Sequence, residues 1–260
     1  MMPSLFIAHG APLLAIEDNE YTRFLKKLAA ELPKPKAVVM FSAHWESSVQ
    51  QVSDVDEFGT IYDFGGFPRE LYEIQYPAKG AKVITEEIKG LFASEGIPFE
   101  VNTSRGLDHG AWVVLRMLYP NADIPVVSMS VNQHLTPAEQ YKIGRSLSSL
   151  REQDVMIIAS GGTVHNLRAV GWERDGKVND QWAVDFDEWV GKHLVSWDTE
   201  KLFDYYTIAP NAEFAVPRYG KEHFIPLFYA MGAAGDTKQA MLLHRSYRYG
   251  NLSHSVWQFG

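Results

Sequence analysis

The sequence predicts an α/β fold built on a largely parallel sheet covered by helices on both faces. Three observations predict it. Apolar runs of strand length recur along the chain: SLFIA, AVVMFSA, PFEVN, IPVVSMSV and DVMIIAS. Segments with apolar residues at helical spacing lie between them, and strands that alternate with helices form parallel sheets with both faces buried. The last stretch, MLLHRSYRYG and LSHSVWQFG, reads as two strands around a YGN turn, which adds an antiparallel edge.

The elements follow in order. In NEYTRFLKKLAAEL, Asn19 is placed to cap a helix whose apolar face is Phe24, Leu25, Leu28 and Leu32. KVITEEIKGLFASEG stops at Gly96, a C-terminal glycine. TPAEQYKIGRSLSSLREQ opens with a Thr136 cap, Pro137 in the first turn and Glu139 at the capping-box position. DEWVGKHLVSW is amphipathic, with His193 expected on its surface, and RYGKEHFIPLFYAMG reads as a helix with Pro226 in its first turns. Two long stretches, residues 56–77 and 161–180, fit neither period. The aromatic content of the first argues against disorder, so the two are expected to wall a pocket. No repeat, low-complexity tract or linker interrupts the chain, and one domain over residues 1–260 is expected.

Composition narrows the function. The 260 residues carry a net charge of −8, which leaves no basic surplus for a nucleic-acid backbone. The absence of cysteine excludes disulfides, thiolate metal sites and a cysteine nucleophile. The first residues turn polar too soon for a signal peptide, and no apolar run reaches the ~18–20 residues of a membrane span, so a soluble cytoplasmic protein is expected. The glycine pairs in DFGGFP and ASGGT match neither GxGxxG nor GxxxxGK[ST], and GxSxG and HExxH are absent. Glu86–Glu87 and Asp185–Asp187 read as solvated helix faces.

The histidines carry the chemistry. Ligands bind beyond the carboxyl ends of parallel strands. His9 and His44 each follow an apolar strand directly, and His165 follows another after the small residues of ASGGT. Neutral imidazole is the commonest metal ligand, so their convergence at one sheet edge would make a metal or acid–base centre. The alternative is three separate strand-end histidines bonded to backbone. His109, in SRGLDHGAW, stands either toward a substrate or ligand oxygen or as a helix-entry residue behind an Asp108 cap. Glu222 and His223 are neighbours on a helix, about 100° apart, so one of them should face a site squarely. His134, His244 and His254 have no supporting partner in the sequence.

The series HGAP, SAHWE, YDF–GFP–ELYEIQYPA–G, GLDHGAWVVLRMLYP, SGGTVHNL and EHFIPL, in that order, resembles the DODA-type extradiol aromatic ring-opening dioxygenases. These belong to the class III extradiol superfamily, which includes the protocatechuate 4,5-dioxygenase catalytic subunit. The resemblance runs from about residue 4 to about residue 232. It implies a three-layer α/β/α domain with a mixed, mostly parallel central sheet. It implies extradiol cleavage of a small aromatic diol with O₂, like that of 4,5-DOPA dioxygenases, giving a hydroxymuconic semialdehyde. Its Fe(II) ligands fall on His9, His44 and His223, and Zn(II) can occupy such a site in purified protein. The acid–base histidine falls on His165, a position some descriptions of the family count as a fourth ligand, and a second active-site histidine on His109. In the protocatechuate branch the third ligand is a glutamate, so Glu222 stands beside His223 for that role.

The sequence departs from the family pattern twice. VPRYGKEH stands where HPTPEH is usual, and DFGGFP where DFYGFP is usual, with Gly65 in place of the aromatic. Both segments are expected to touch substrate, and Arg218 or Tyr219 is placed to contact a substrate carboxylate. Two other readings fit three histidines: a zinc-dependent hydrolase, and a metal-binding or interaction protein of the same fold without catalysis.

Overall fold

The computed structural model describes residues 1–176 and 178–260. Its ten strands are β1 (Ser4–Ala8), β2 (Ala37–Glu46), β3 (Gln50–Ser53), β4 (Phe99–Asn102), β5 (Val126–Val131), β6 (Val155–Gly161), β7 (Ala240–His244), β8 (Tyr247–Arg248), β9 (Leu252–Ser253) and β10 (Val256–Phe259). Eight of them form one sheet in the order β4-β3-β5-β2-β6-β1-β10-β7. The centre is parallel: β2 pairs with β5 and β6, and β6 with β1. Antiparallel pairing begins where β10 meets β1 and β7, and where β3 meets β5. The sheet is therefore mixed and mostly parallel.

The helices are α1 (Glu20–Glu31), α2 (Lys82–Glu95), α3 (His109–Leu118), α4 (Pro137–Ser146), α5 (Gln181–Val195), the short α6 (Thr199–Phe203), α7 (Tyr205–Ile208) and α8 (Ala212–Ala215), and α9 (Pro226–Ala233). Alternating strand residues point to opposite faces, and two cores result. Leu5, Ile7, Val38, Met40 and Ile158 pack under α1 and α3, against Leu25, Leu28 and Trp112. Phe6, Val39, Phe41 and Ile157 pack on the other face with Ile88 of α2, Ile143 of α4, Phe186 of α5 and Phe228 of α9. The layers are α/β/α, as expected. The caps read from sequence are formed: Asn19 and Thr22 bond reciprocally, Thr136 and Glu139 do the same, and Gly96 ends α2 at φ 64°. Among the described residues no helix is long and apolar enough to cross a membrane.

Four local expectations are corrected. β3 was not anticipated, because QQVS is four residues with two glutamines; Gln50 is buried and donates to Ser130 O at 2.6 Å. The C-terminal pair is not one hairpin: β7 and β10 form the antiparallel edge, while β8 and β9 around the YGN turn make a separate two-stranded ribbon. Asp187 is not solvated. It is fully buried, paired with Arg245 at 2.9 Å, and accepts from Tyr247 Oη and Ser255 Oγ. His193 is not on the surface either. It packs on Trp189, and the chain after α5 folds back so that Asp198 covers its ring, Oδ2 lying 3.4 Å from Nδ1.

Candidate active site

The carboxyl ends of β1, β2 and β6 lie side by side and deliver the histidines. His9 follows β1 at once, its N–H donating to Gly161 O at the end of β6. Gly10 then turns the chain away at φ 58°, where an added Cβ would lie 2.6 Å from His254 Nε2. β2 runs past His44 to Glu46, but its register against β5 jumps between Phe41 and Glu46. His44 sits in that irregularity, the kind of break that re-aims a side chain beside a site. His223 comes from elsewhere, in a 3-10 turn (Lys221–His223) ahead of α9 and not in a continuous helix, because Pro226 opens α9 only after the turn. Gly162 N–H donates to His223 O at 2.8 Å, and a Cβ on Gly161 would lie only 2.1 Å from that oxygen. The paired glycines thus let the turn rest on the strand end.

His9, His44 and His223 each offer one nitrogen within 4.8 Å of the others. The second nitrogen of each is held from behind. Ser160 Oγ donates to Gly110 O, so it accepts from His9 Nδ1–H at 2.8 Å. His44 Nδ1 lies 3.4 Å from Asp63 Oδ2, and His223 Nδ1 2.9 Å from Glu222 Oε1. Such partners put the proton on Nδ1 and leave the Nε2 lone pair for a ligand bond. His9 and His44 bring those two Nε2 atoms to 3.0 Å. Two lone pairs facing at that distance repel unless a cation lies between them, so the donor set fits a metal ion. Burial, and then the neighbouring histidines, hold His9 and His223 well below the usual imidazole pKa, and bring His44 to about 3. All three are neutral, the ligating form.

The remaining predicted histidines line the same cavity, of 320 Å³. His109 opens α3 behind Asp108, whose carboxylate accepts from Ala111 N–H, so the helix-entry and cavity readings hold together. His165 stacks on His223 with ring centres 3.5 Å apart and planes 5° from parallel; burial and then His109 lower its pKa to about 4. Glu222 lines the cavity too, its carboxyl raised to about 7 by burial. Phe64 and Phe67 from the first long loop, and Leu167 and Trp172 from the second, are walls, as expected of those loops. Arg218 and Tyr219 do not line this cavity. Arg218 lies over the Tyr206 ring at 5.4 Å, and Tyr219 is exposed beneath Arg168 at 3.9 Å.

Sequence reasoning passed over Asp63 and Ser160. Asp63 Oδ1 accepts from both the backbone N–H and Nδ1–H of His109 at 2.9 Å. Burial alone would raise its pKa, but these hydrogen bonds from His109 bring it down to about 2. Its sole signal was its place in YDF, within a loop expected to wall a pocket.

Comparison with known proteins places this geometry. The profile of the LigB family, described as the catalytic LigB subunit of aromatic ring-opening dioxygenase, matches residues 3–260. The match therefore continues past residue 232 through the terminal strands. A protein of Beta vulgaris named 4,5-DOPA dioxygenase extradiol is 41% identical over 98% of this chain and 96% of its own. One of the same name from Escherichia coli is 36% identical over 100% of this chain and 95% of its own. The crystal structure of an uncharacterized Escherichia coli K12 protein superposes with a TM-score of 0.84 at 34% identity, covering 100% of both chains. Dioxygenases of this family depend on a metal, and the histidine cluster at the sheet edge is a site of the required kind. Sequence, fold and donor set agree that the chain belongs to the LigB family and is an extradiol aromatic ring-opening dioxygenase.

Proposed function

We propose that residues 1–260 form one catalytic domain that holds Fe(II) on His9, His44 and His223 and cleaves a catechol beside its two hydroxyls. The observation that carries this reading is the convergence of three imidazole nitrogens, each backed by Ser160, Asp63 or Glu222, at the floor of a cavity of aromatic-ring size. The 3.0 Å between His9 Nε2 and His44 Nε2 is close enough for a single ion to accept both lone pairs. An Fe(II) ion held by His9, His44 and His223 would supply the redox coupling between an electron-rich ring and O₂.

The protein's own groups do the rest. His165, stacked on His223 and facing the cavity, takes a proton from a catechol hydroxyl and returns it to the departing oxygen. His109 gives Nδ1–H to Asp63, which leaves the Nε2 lone pair to accept from a substrate hydroxyl. The ring of Phe64, edge-on to His109 at 5.7 Å, helps keep bulk water out. Both atoms of O₂ end in the product, a hydroxymuconic semialdehyde.

The test is anaerobic loading with Fe(II), followed by catechols and air, recording O₂ uptake and a yellow product. Uptake and colour that vanish in His9→Ala and His165→Ala are expected. Absence of uptake with every catechol would overturn the reading. Zinc in purified protein decides nothing, since zinc out-competes ferrous iron for nitrogen ligands.

A further inference from the structure

Building on the ring-cleavage reading, we infer that the cavity selects catechols carrying an uncharged, apolar substituent over those carrying a carboxylate. Above the histidines the walls are Phe64, Phe67, Val164, Leu167, Trp172 and Leu252. Among the described residues no lysine or arginine lines the cavity, and the one lining carboxyl is Glu222. The arginines of the neighbouring segments are engaged elsewhere: Arg168 over Tyr219, Arg174 with Asp180 at 2.6 Å, and Arg218 over Tyr206. A carboxylate on the ring substituent, away from the diol, would give up water and meet no basic side chain in return, an uncompensated loss.

The rim offers the opposite. Leu167 is 57% exposed and Trp172 62% exposed, although both line the cavity. Trp172 is set in advance by Tyr249, with ring centres 4.7 Å apart. Two large apolar side chains stand in water at the mouth of a site whose floor takes the diol. A substituent pointing outward from the ring covers them and gains the transfer free energy of its own carbons. At 320 Å³ the cavity lies near the lower end of the usual range of about 300–1,000 Å³, room for a ring and a short chain.

The test pairs turnover with binding. With Fe(II)-loaded enzyme, kcat/KM is measured for catechol, 4-methyl-, 4-ethyl- and 4-propylcatechol, and for 3,4-dihydroxyphenylacetate and 3-(3,4-dihydroxyphenyl)propionate. Anaerobic titration followed by tryptophan fluorescence gives Kd for the same compounds without turnover. Expected is a gain of about fourfold per methylene, and for the propionate a loss of roughly tenfold or more relative to 4-propylcatechol. Trp172→Ala should flatten the alkyl series, and Leu167→Arg should shift preference toward the propionate. Equal or tighter binding and turnover of the carboxylated compounds by the unaltered enzyme would overturn the inference. Binding that favours the alkyl series with no O₂ uptake from any compound would uphold this selectivity and overturn ring cleavage.

Discussion

Asp63 joins two histidines of the site through one carboxylate, with Oδ1 on His109 and Oδ2 toward His44. In Asp63→Asn an acceptor remains, but the charge that orients both rings is lost. Metal affinity should fall about 10–100-fold, the usual effect of removing such a partner, and kcat should fall as well; metal titration and O₂ uptake measure the two. This residue also shows where sequence reading stops. His9 was legible because an apolar strand fixes where its next side chain goes, and His44 because it closes an apolar run, although the register break that aims it left no mark in the sequence. Asp63 sits in a loop, where no periodicity relates sequence position to direction, and its partners are 19 and 46 positions away. His254 is a second case, silent in the sequence and fully buried against Tyr21 at 4.4 Å. Burial, then Arg248 and His244, against the opposing pull of Asp175, bring its pKa to about 3 from an ordinary 6.5. Below pH 6.5 the unfolded chain takes up a proton that the folded chain refuses until about pH 3. The stability tied to His254 is therefore complete above pH 6.5 and is lost as the pH falls toward 3. Denaturant titrations across that window should show a shallower slope for His254→Phe, by up to about 1.4 kcal/mol per pH unit.

The end of β6 and the turn bearing His223 depend on each other, and Gly161 is the point of contact. In Gly161→Ala the new Cβ meets His223 O at 2.1 Å, so the turn must move off the strand. Metal affinity is expected to drop roughly tenfold or more, with a loss of about 1–3 kcal/mol in stability; unchanged metal binding would show that the turn is held by something else. Capped elements were the readable ones. Asn19, Thr136 and Gly96 act through bonds to residues within four positions, so their signals are local. β3 was hidden because its four residues are fixed by partners far along the chain, Phe99–Asn102 on one side and Met129 on the other. The continuous helix expected across His223 failed because Pro226 is a good first residue and starts α9 afresh.

Across the whole molecule, α5 is tied to the C-terminal strands through the buried Asp187, which meets Arg245, Tyr247 and Ser255. Asp187→Ala leaves the Arg245 guanidinium without its counter-charge, and a loss of about 3–5 kcal/mol is expected by chemical denaturation. Replacing Asp187 and Arg245 together by apolar residues should recover much of it. The layered architecture was legible because alternating strands and helices admit few arrangements. The long-range ties were not, since charge pairs such as Asp187–Arg245 leave no periodic trace and on a helix read as surface. The position of β10 has a consequence of its own. It pairs Val256–Phe259 with Ser4–Ile7, flanking the strand that presents His9. While the ribosome is still making this protein, that first strand lacks its neighbour, and His223 is itself far downstream. The histidine cluster therefore comes together only once His223 has been made, and the strand that presents His9 gains its second neighbour later still, with Val256–Phe259, so metal capture comes late in synthesis.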